Sequence, residues 1–530
     1  MNRTEKLSRS KFRHLPLLFG IFGIALLIRL VGLKFGFPLL THHDEIFIID
    51  PLIRMSKAHS LDSGHYNKPT QITYIIQFVW LNLLSKLKFH QNMGWAYTQD
   101  PLFFYFYGRL VYAVMGAFIP LVAWKIGKSF KGIDFSLPAA LLTCFYPAFV
   151  DNSHYIGVDV SITLFTLLII LFCLLYLQGG KTRWLVLACV MVSINTLEKY
   201  PGILSLFIPI VTIVIQAFSS QGPCRPHRLR FILGHVGLAL GITVAAMFVI
   251  APHLFIKWQA VRDVLIYESR SNHLGADNLD WAGNLLFYLQ VFIKNGGWMT
   301  TAFALVGLAV AVRRRQPAYL LLFFGAGYWV ALSKLGLHWE RWSLPMVITP
   351  LLLAAMGVAD CWQWTAKKRF WRAALVLVLS MGLVLIAMDG LTASITMAWP
   401  DTRVAGLNYA EAHQITPENT HAEGYSPYLA RVFKTIFDTD LDNPGGKEYV
   451  ILSSYIYGRY AAEPERYAKE NAFYAAVREE GELVYEISPS PLPANYRQRL
   501  DVLVDYFRHL VWGTDIRYSI GPVLQFYKLH

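Results

Sequence analysis

A ladder of apolar runs leaves this chain few folds to choose from. Ten runs, at 15–33, 104–126, 136–152, 158–178, 201–219, 231–250, 298–313, 317–333, 343–360 and 373–391, have the length of membrane spans. Crossing ~30 Å of hydrocarbon takes a helix of about 17 to 25 residues. A shorter run at 184–198 brings the number to about eleven. Lys and Arg gather in blocks between runs: Lys6/Arg9/Lys11/Arg13, Lys125/Lys128/Lys131, Lys181/Arg183, Arg225/Arg228/Arg230, Arg313/Arg314/Arg315 and Lys367/Lys368/Arg369/Arg372. Such blocks in short loops mark the cytoplasmic side of a polytopic membrane protein. The net charge of +13 is therefore dispersed, not collected into the patch or stripe that nucleic-acid binding needs. Charged residues make up 16% of the chain, against about a quarter in soluble proteins. The reading is a polytopic α-helical membrane protein with about eleven transmembrane helices.

The stretch 70–88, TQITYIIQFVWLNLLSKLK, is the exception among the apolar runs. As a span it would carry Gln71, Thr73, Gln77, Asn82 and Lys86 into lipid and move every later basic block across the membrane. It reads instead as an amphipathic interfacial helix, as do 281–293 and part of 45–60. The basic-fronted run 15–33 lacks a cleavage site and reads as a retained anchor. With the N-terminus inside, an odd number of spans leaves 41–103, the turns near 153–157 and 199–201, 251–297, 334–342 and 392–530 outside. Asp44, Glu45, Asp50, Asp151, Asp159, Glu198, Asp263 and Glu268 all fall on that side.

Composition changes after Met397. EYVILSSY, ELVYEIS and GPVLQFYKLH read as strands from their β-branched and aromatic residues. WPDTRVAGLNYAEAHQ reads as a helix, as does EPERYAKENAFYAAVREEG with its Gly stop. The expectation is a membrane domain over 1–391 and a small extracytoplasmic α/β domain over 392–530. The five cysteines, Cys144, Cys173, Cys189, Cys224 and Cys361, form no CxxC pair, so neither a disulfide framework nor a zinc knuckle is implied.

Several outer-side stretches carry a resemblance: HHDE after the first span, NKPTQITY, YGRLVYAVMGAFIPLVAWKIGKSFKG, HYIGVDVSITLF, EKYPGIL, SKLGLHWERWSLPMVITP and the C-terminal DTRVAG…GYSPYL…GPVLQFYKL. In order and spacing the chain resembles the family 39 glycosyltransferases of the GT-C superfamily, the ArnT-like and protein O-mannosyltransferase-like enzymes, over almost its whole length. The resemblance implies the GT-C fold and transfer of a sugar from a polyprenyl-phosphate donor to a lipid, glycan or protein acceptor. The setting would be the outer face of the cytoplasmic (inner) membrane of a bacterium, with anionic membrane lipid beside the basic loops. It implies that Asp44 activates the acceptor, Lys68 meets the carrier phosphate, Asp159 completes the acidic site, and Arg270 helps hold the phosphate. The chain departs from the pattern at Asn67, where relatives often carry an acid, and at Thr70, where they often carry a second Pro. The departure at Asn67 puts in doubt any metal bound with that acid; a divalent metal stays possible, and no cofactor is otherwise implied.

Residue chemistry agrees with those roles without fixing them. Lys68 and Arg270 suit an anionic leaving group, and a positioned Asp44 suits proton removal. Asp44, Glu45 and Asp159 also suit helix N-termini, and Lys68 could snorkel to the interface. His42 and His43 beside two acids could bind a metal, although no spacing fixes such a site. Arg109 either pairs with an acid or orients its span. Arg341, in the polar turn His338–Trp342, either contacts sugar or phosphate or anchors to headgroups, and Lys199 with Tyr200 stands similarly. Glu45, Arg109 and Arg341 complete the candidate substrate-binding set. The rival classes are a transporter or lipid flippase, which would place ionisable groups near the bilayer midplane, and a membrane-anchored glycan-binding scaffold.

Overall fold

The computed structural model describes residues 14–66, 70–130, 132–220, 222–268, 274, 279–441 and 445–529. Lipid offers no partners to backbone N–H and C=O groups, so the apolar runs must satisfy them internally as helices. In chain order these helices are α1 (Leu15–Leu30), α2 (His43–Ala58), α3 (Gln71–Phe89), α4 (Pro101–Ser129), α5 (Ser136–Phe145), α6 (Val158–Gly179), α7 (Thr182–Glu198), α8 (Tyr200–Phe218), α9 (Arg225–Ile250), α10 (Trp281–Arg314), α11 (Pro317–Leu332), α12 (Glu340–Trp364) and α13 (Arg369–Thr396). Among the described residues seven of them, α4, α6, α8, α9, α10, α12 and α13, are long and apolar enough to cross a membrane. The helices α1, α5 and α11 are apolar but shorter.

The segment 281–293, expected to be distinct from the span 298–313, and that span are two helices that meet at a kink at Gly297, φ 73°, and are numbered together as α10. Only glycine adopts that backbone conformation at little cost. At the bundle centre α10 and α12 meet through Gly307 and Gly357, where an added Cβ on either residue would run into the facing backbone. Small residues that let helix backbones touch are the usual packing device in membranes.

The basic blocks and the carboxylates Asp44 and Asp159 sit at opposite ends of these helices, and the acids found among the basic blocks are paired with them. Asp159 opens α6 while Gly179 closes it, and Asp360 near the end of α12 takes Arg313 and Arg314 from the end of α10 at 2.8 and 3.0 Å.

Beyond α13 the chain forms α14 (Thr402–Ala412), β1 (Thr420–Ala422), β2 (Tyr449–Ser453), α15 (Ser454–Ala461), α16 (Ala468–Glu480), β3 (Glu482–Ile487), α17 (Tyr496–Trp512) and β4 (Leu524–Lys528). The sheet order is β1-β2-β4-β3, parallel between β1 and β2 and antiparallel elsewhere. The three strands expected from β-branched and aromatic residues are β2, β3 and β4. Strand β1 and helix α17 were not anticipated.

This region is tied to the start of α2. Arg403 is held by both oxygens of Asp401 at 2.7 and 2.8 Å and donates to the carbonyls of Thr41 and Ala430. His43 bonds the carbonyl of Arg431.

Glu423 is buried under the sheet, accepting from the Tyr474 hydroxyl at 2.6 Å and the Ser453 amide at 2.9 Å. Burial pushes its carboxyl up to about 7, from 4.5 in an unfolded chain. The folded state then holds a proton that the unfolded state has released, so stability present below pH 4.5 is lost as pH rises through about 7. Melting of the C-terminal region followed from pH 5 to 8 is expected to shift downward, and Glu423→Gln is expected to flatten that slope. An equal slope in the variant would assign it to other groups.

Candidate active site

Four side chains form a line of alternating charge at the carboxylate end of the bundle. Arg341 Nη1 meets Asp44 Oδ2 at 2.6 Å, Arg341 Nε lies 3.8 Å from Asp159 Oδ2, and Asp159 Oδ1 accepts from Lys199 Nζ at 2.7 Å. Each comes from a different element: Asp44 from the first turn of α2, Asp159 from the first turn of α6, Lys199 from the residue after α7, and Arg341 from the turn that opens α12. Acids in first turns are favoured by the helix dipole, so the same placement serves local folding and the site.

The array borders two cavities. One of about 160 Å³ contains Asp44, Asp159, Lys199, Arg341, Thr70, Tyr74, Tyr155 and Trp342 on its wall. The other, of about 600 Å³, lies toward the C-terminal region and is walled by Trp339, Asp401, Arg403, Tyr425, Tyr455 and Arg459, among others. His42, His43, Asp44 and Arg341 line both, so they stand at the boundary. His42 stacks on Tyr155 with ring centroids 4.2 Å apart. Burial pushes its imidazole down to about 4, against the pull of Glu45 and Asp44, so the ring is neutral near pH 7.

Behind this wall lies a second pair. Glu45 and Arg109 are both fully buried. Arg109 gives two N–H bonds to the Glu45 carboxylate at 2.7 and 2.9 Å and two more to the carbonyls of Leu33 and Phe35, both at 3.0 Å. Glu45 also accepts from the Ile156 amide at 3.0 Å. This knot joins α2 to α4, to the chain after α1 and to the turn before α6, and so fixes where Asp44 and Asp159 stand. Neither residue lines either cavity.

Glu198 does similar work beside Lys199. It is buried and accepts from the amide and hydroxyl of Thr73 at 2.8 and 2.6 Å and from the Ser161 hydroxyl.

Of the residues singled out in the sequence, the structure brings Asp44, Asp159 and Arg341 together and sets Glu45 and Arg109 behind them. Lys68 and Arg270 lie outside the described residues. Near them in sequence, Thr70 lines the smaller cavity and Leu274 the larger. Lys199, which the sequence left between a headgroup anchor and a ligand contact, is an integral part of the array. Trp342 belongs to the polar turn already singled out, whereas the places of Tyr155 and Arg459 on the cavity walls were missed, since an aromatic in a short turn and one Arg in a helix of the C-terminal region carry no distinguishing signal.

A metal would need several of these ligands at once. Among the described residues no three His, Cys, Asp or Glu side chains come together in that way. Asp44 and Asp159 face Arg341 and Lys199 instead, and Asp401 faces Arg403.

Residues 105–250 match the family model described as dolichyl-phosphate-mannose-protein mannosyltransferase. The structure is similar to that of ArnT from Cupriavidus metallidurans in the apo state, with TM-score 0.52 and 14% identity over 85% of this chain and 95% of that one. It is also similar to ArnT bound to undecaprenyl phosphate, with TM-score 0.50 and 14% identity over 96% and 98%. The oligosaccharyltransferase of Archaeoglobus fulgidus aligns with TM-score 0.48 and 11% identity over 96% and 88%. No curated protein matches by sequence.

The class is thus a multi-helix membrane glycosyltransferase with the GT-C fold. Within that class the chain is similar to the ArnT and mannosyltransferase branches that its motifs resemble.

Proposed function

We propose that this protein transfers a glycosyl group from a polyprenyl-phosphate-linked donor to an acceptor hydroxyl, in one displacement with inversion at the sugar carbon. The observation that carries this reading is the array Asp44–Arg341–Asp159–Lys199 at the boundary of two cavities. Such a donor is already activated because phosphate leaves as a stabilised anion. The site then has to hold that anion, align the acceptor and take one proton.

Asp44 takes the proton from the acceptor hydroxyl as the new C–O bond forms and the C–O bond to phosphate breaks. Lys199 and Arg341 stabilise the charge that gathers on the leaving phosphate, since charge-assisted bonds to phosphate oxygens are strong. Lys68 joins them on the strength of its motif, and Arg270 as the candidate basic residue of the large middle loop. Asp159 orients Lys199 and Arg341, keeping two cations aimed at one spot. Glu45 and Arg109 act from behind by holding α2 in place.

The membrane domain over 1–391 carries this chemistry, with the α/β domain over 392–530 set on the same side, opposite the basic loops. By the charge asymmetry of those loops, that side is the outer face of the bacterial inner membrane. Acids clustered at helix ends beside an attached sheet favour surface chemistry over passage through the bilayer.

Purified protein given a polyprenyl-phosphate sugar is expected to release polyprenyl phosphate and form a product of opposite anomeric configuration, read by NMR of the new linkage. A product that keeps the donor configuration rules out the single displacement. Solute accumulation without any new linkage points to a transporter.

A further inference from the structure

We propose that the larger cavity holds the acceptor, and that the acceptor is an anionic saccharide gripped by Arg459 of the C-terminal region. This rests on the transfer reading above and names the substrate class for it. An in-line displacement puts acceptor and leaving phosphate on opposite sides of the sugar carbon. The two cavities meet at Asp44 and Arg341 and extend away from each other: the smaller contains Asp159 and Lys199, the larger contains neither. The base thus stands where the second substrate must enter. At about 600 Å³ the larger cavity has the size of an ordinary ligand pocket.

Its charges single out one residue. Asp44 is paired with Arg341, and Asp401 with Arg403, which is further engaged by the carbonyls of Thr41 and Ala430. Arg459 has no carboxylate partner among the described residues. Its guanidinium lies 5.3 Å from the ring of Phe433 and 5.8 Å from that of Tyr425. One of its N–H groups meets the Tyr425 hydroxyl, and a guanidinium resting against aromatic rings keeps its other donors for a planar anion such as a carboxylate or phosphate. The lining is also unusually open: Trp339, Tyr455 and Phe433 are 41%, 42% and 36% exposed. Large rings left exposed around a cation suit a ligand with flat apolar faces and polar edges. Sugar rings present both, and the negative charge goes to Arg459.

The full-length protein in nanodiscs is titrated with a glucuronate-bearing tetrasaccharide, its carboxyl-reduced neutral form and a phosphorylated tetrasaccharide. Wild type is expected to bind a charged probe at least tenfold more tightly than the neutral one, and the better of the two distinguishes a carboxylate from a phosphate acceptor. Arg459→Gln is expected to abolish that preference, and Arg459→Lys to keep part of it. The proposal is overturned if neither charged probe binds, if wild type does not discriminate, or if Arg459→Gln still does. The wild-type comparison decides even should the variant fail to fold. Transfer is measured separately in Asp44→Asn: transfer that persists there sinks the catalytic reading and leaves the binding result standing.

Discussion

Replacing Asp44 by Asn is expected to slow sugar transfer by ~10²–10⁴-fold, the range a positioned acid–base group supplies, in a protein that still folds. Asn has nearly the same shape and retains an oxygen to accept from Arg341, but it cannot take the acceptor's proton. The Asp44–Arg341 pair is 29% and 26% exposed at its side chains, and partly exposed pairs contribute little to stability. The loss is therefore expected in kcat, with little change in the KM for acceptor, since the missing interaction belongs to the transition state. Initial rates with a radiolabelled polyprenyl-phosphate sugar measure it. Transfer above a tenth of the wild-type rate would remove Asp44 from the role of base and leave it as a partner of Arg341.

The convergence of Asp44, Asp159 and Arg341 could be anticipated because each stands at the end of an apolar run on the side without basic blocks. One-dimensional reading does not supply pairing. Asp44 and Glu45 are neighbours with the same chemistry, but successive residues of a helix point about 100° apart. In α2 that rotation sends Asp44 to the cavity and Glu45 into the core against Arg109. Asp159 and Lys199 are separated by two helices, α6 and α7, whose antiparallel packing brings the start of one beside the end of the other.

In the C-terminal region the strands with several β-branched residues were legible, whereas β1, three residues long, left no pattern. Helix α17 did leave one: Leu500, Val504, Phe507 and Val511 recur at helical spacing, between an Asn495–Gln498 capping box and Gly513. The larger cavity had no such signal, because its walls come from the segments around Asp44, Arg341, Arg403, Arg459 and Ile520, which lie far apart in the chain and meet only once the fold is complete.

The largest effect on stability is expected at the pair behind the site. Arg109→Met removes all four N–H bonds of the guanidinium and leaves the Glu45 carboxylate buried, with the Ile156 amide as its one remaining donor among the described residues. Breaking a buried ion pair from one side costs about 3–5 kcal/mol, because the remaining charge is uncompensated. Adding Glu45→Gln removes that charge, so the double variant is expected to be more stable than Arg109→Met alone, a coupling that a double-mutant cycle measures directly. Thermal melting and transfer should fall together in Arg109→Met, since α2 carries Asp44 and moves when its anchor is cut. A variant that melts like wild type and shows only weakened substrate affinity would return Arg109 to the substrate contacts. In that case the knot of Glu45, Arg109 and Ile156 would have to open during turnover, and the placement of Asp44 would depend on the ligand and not on the fold alone.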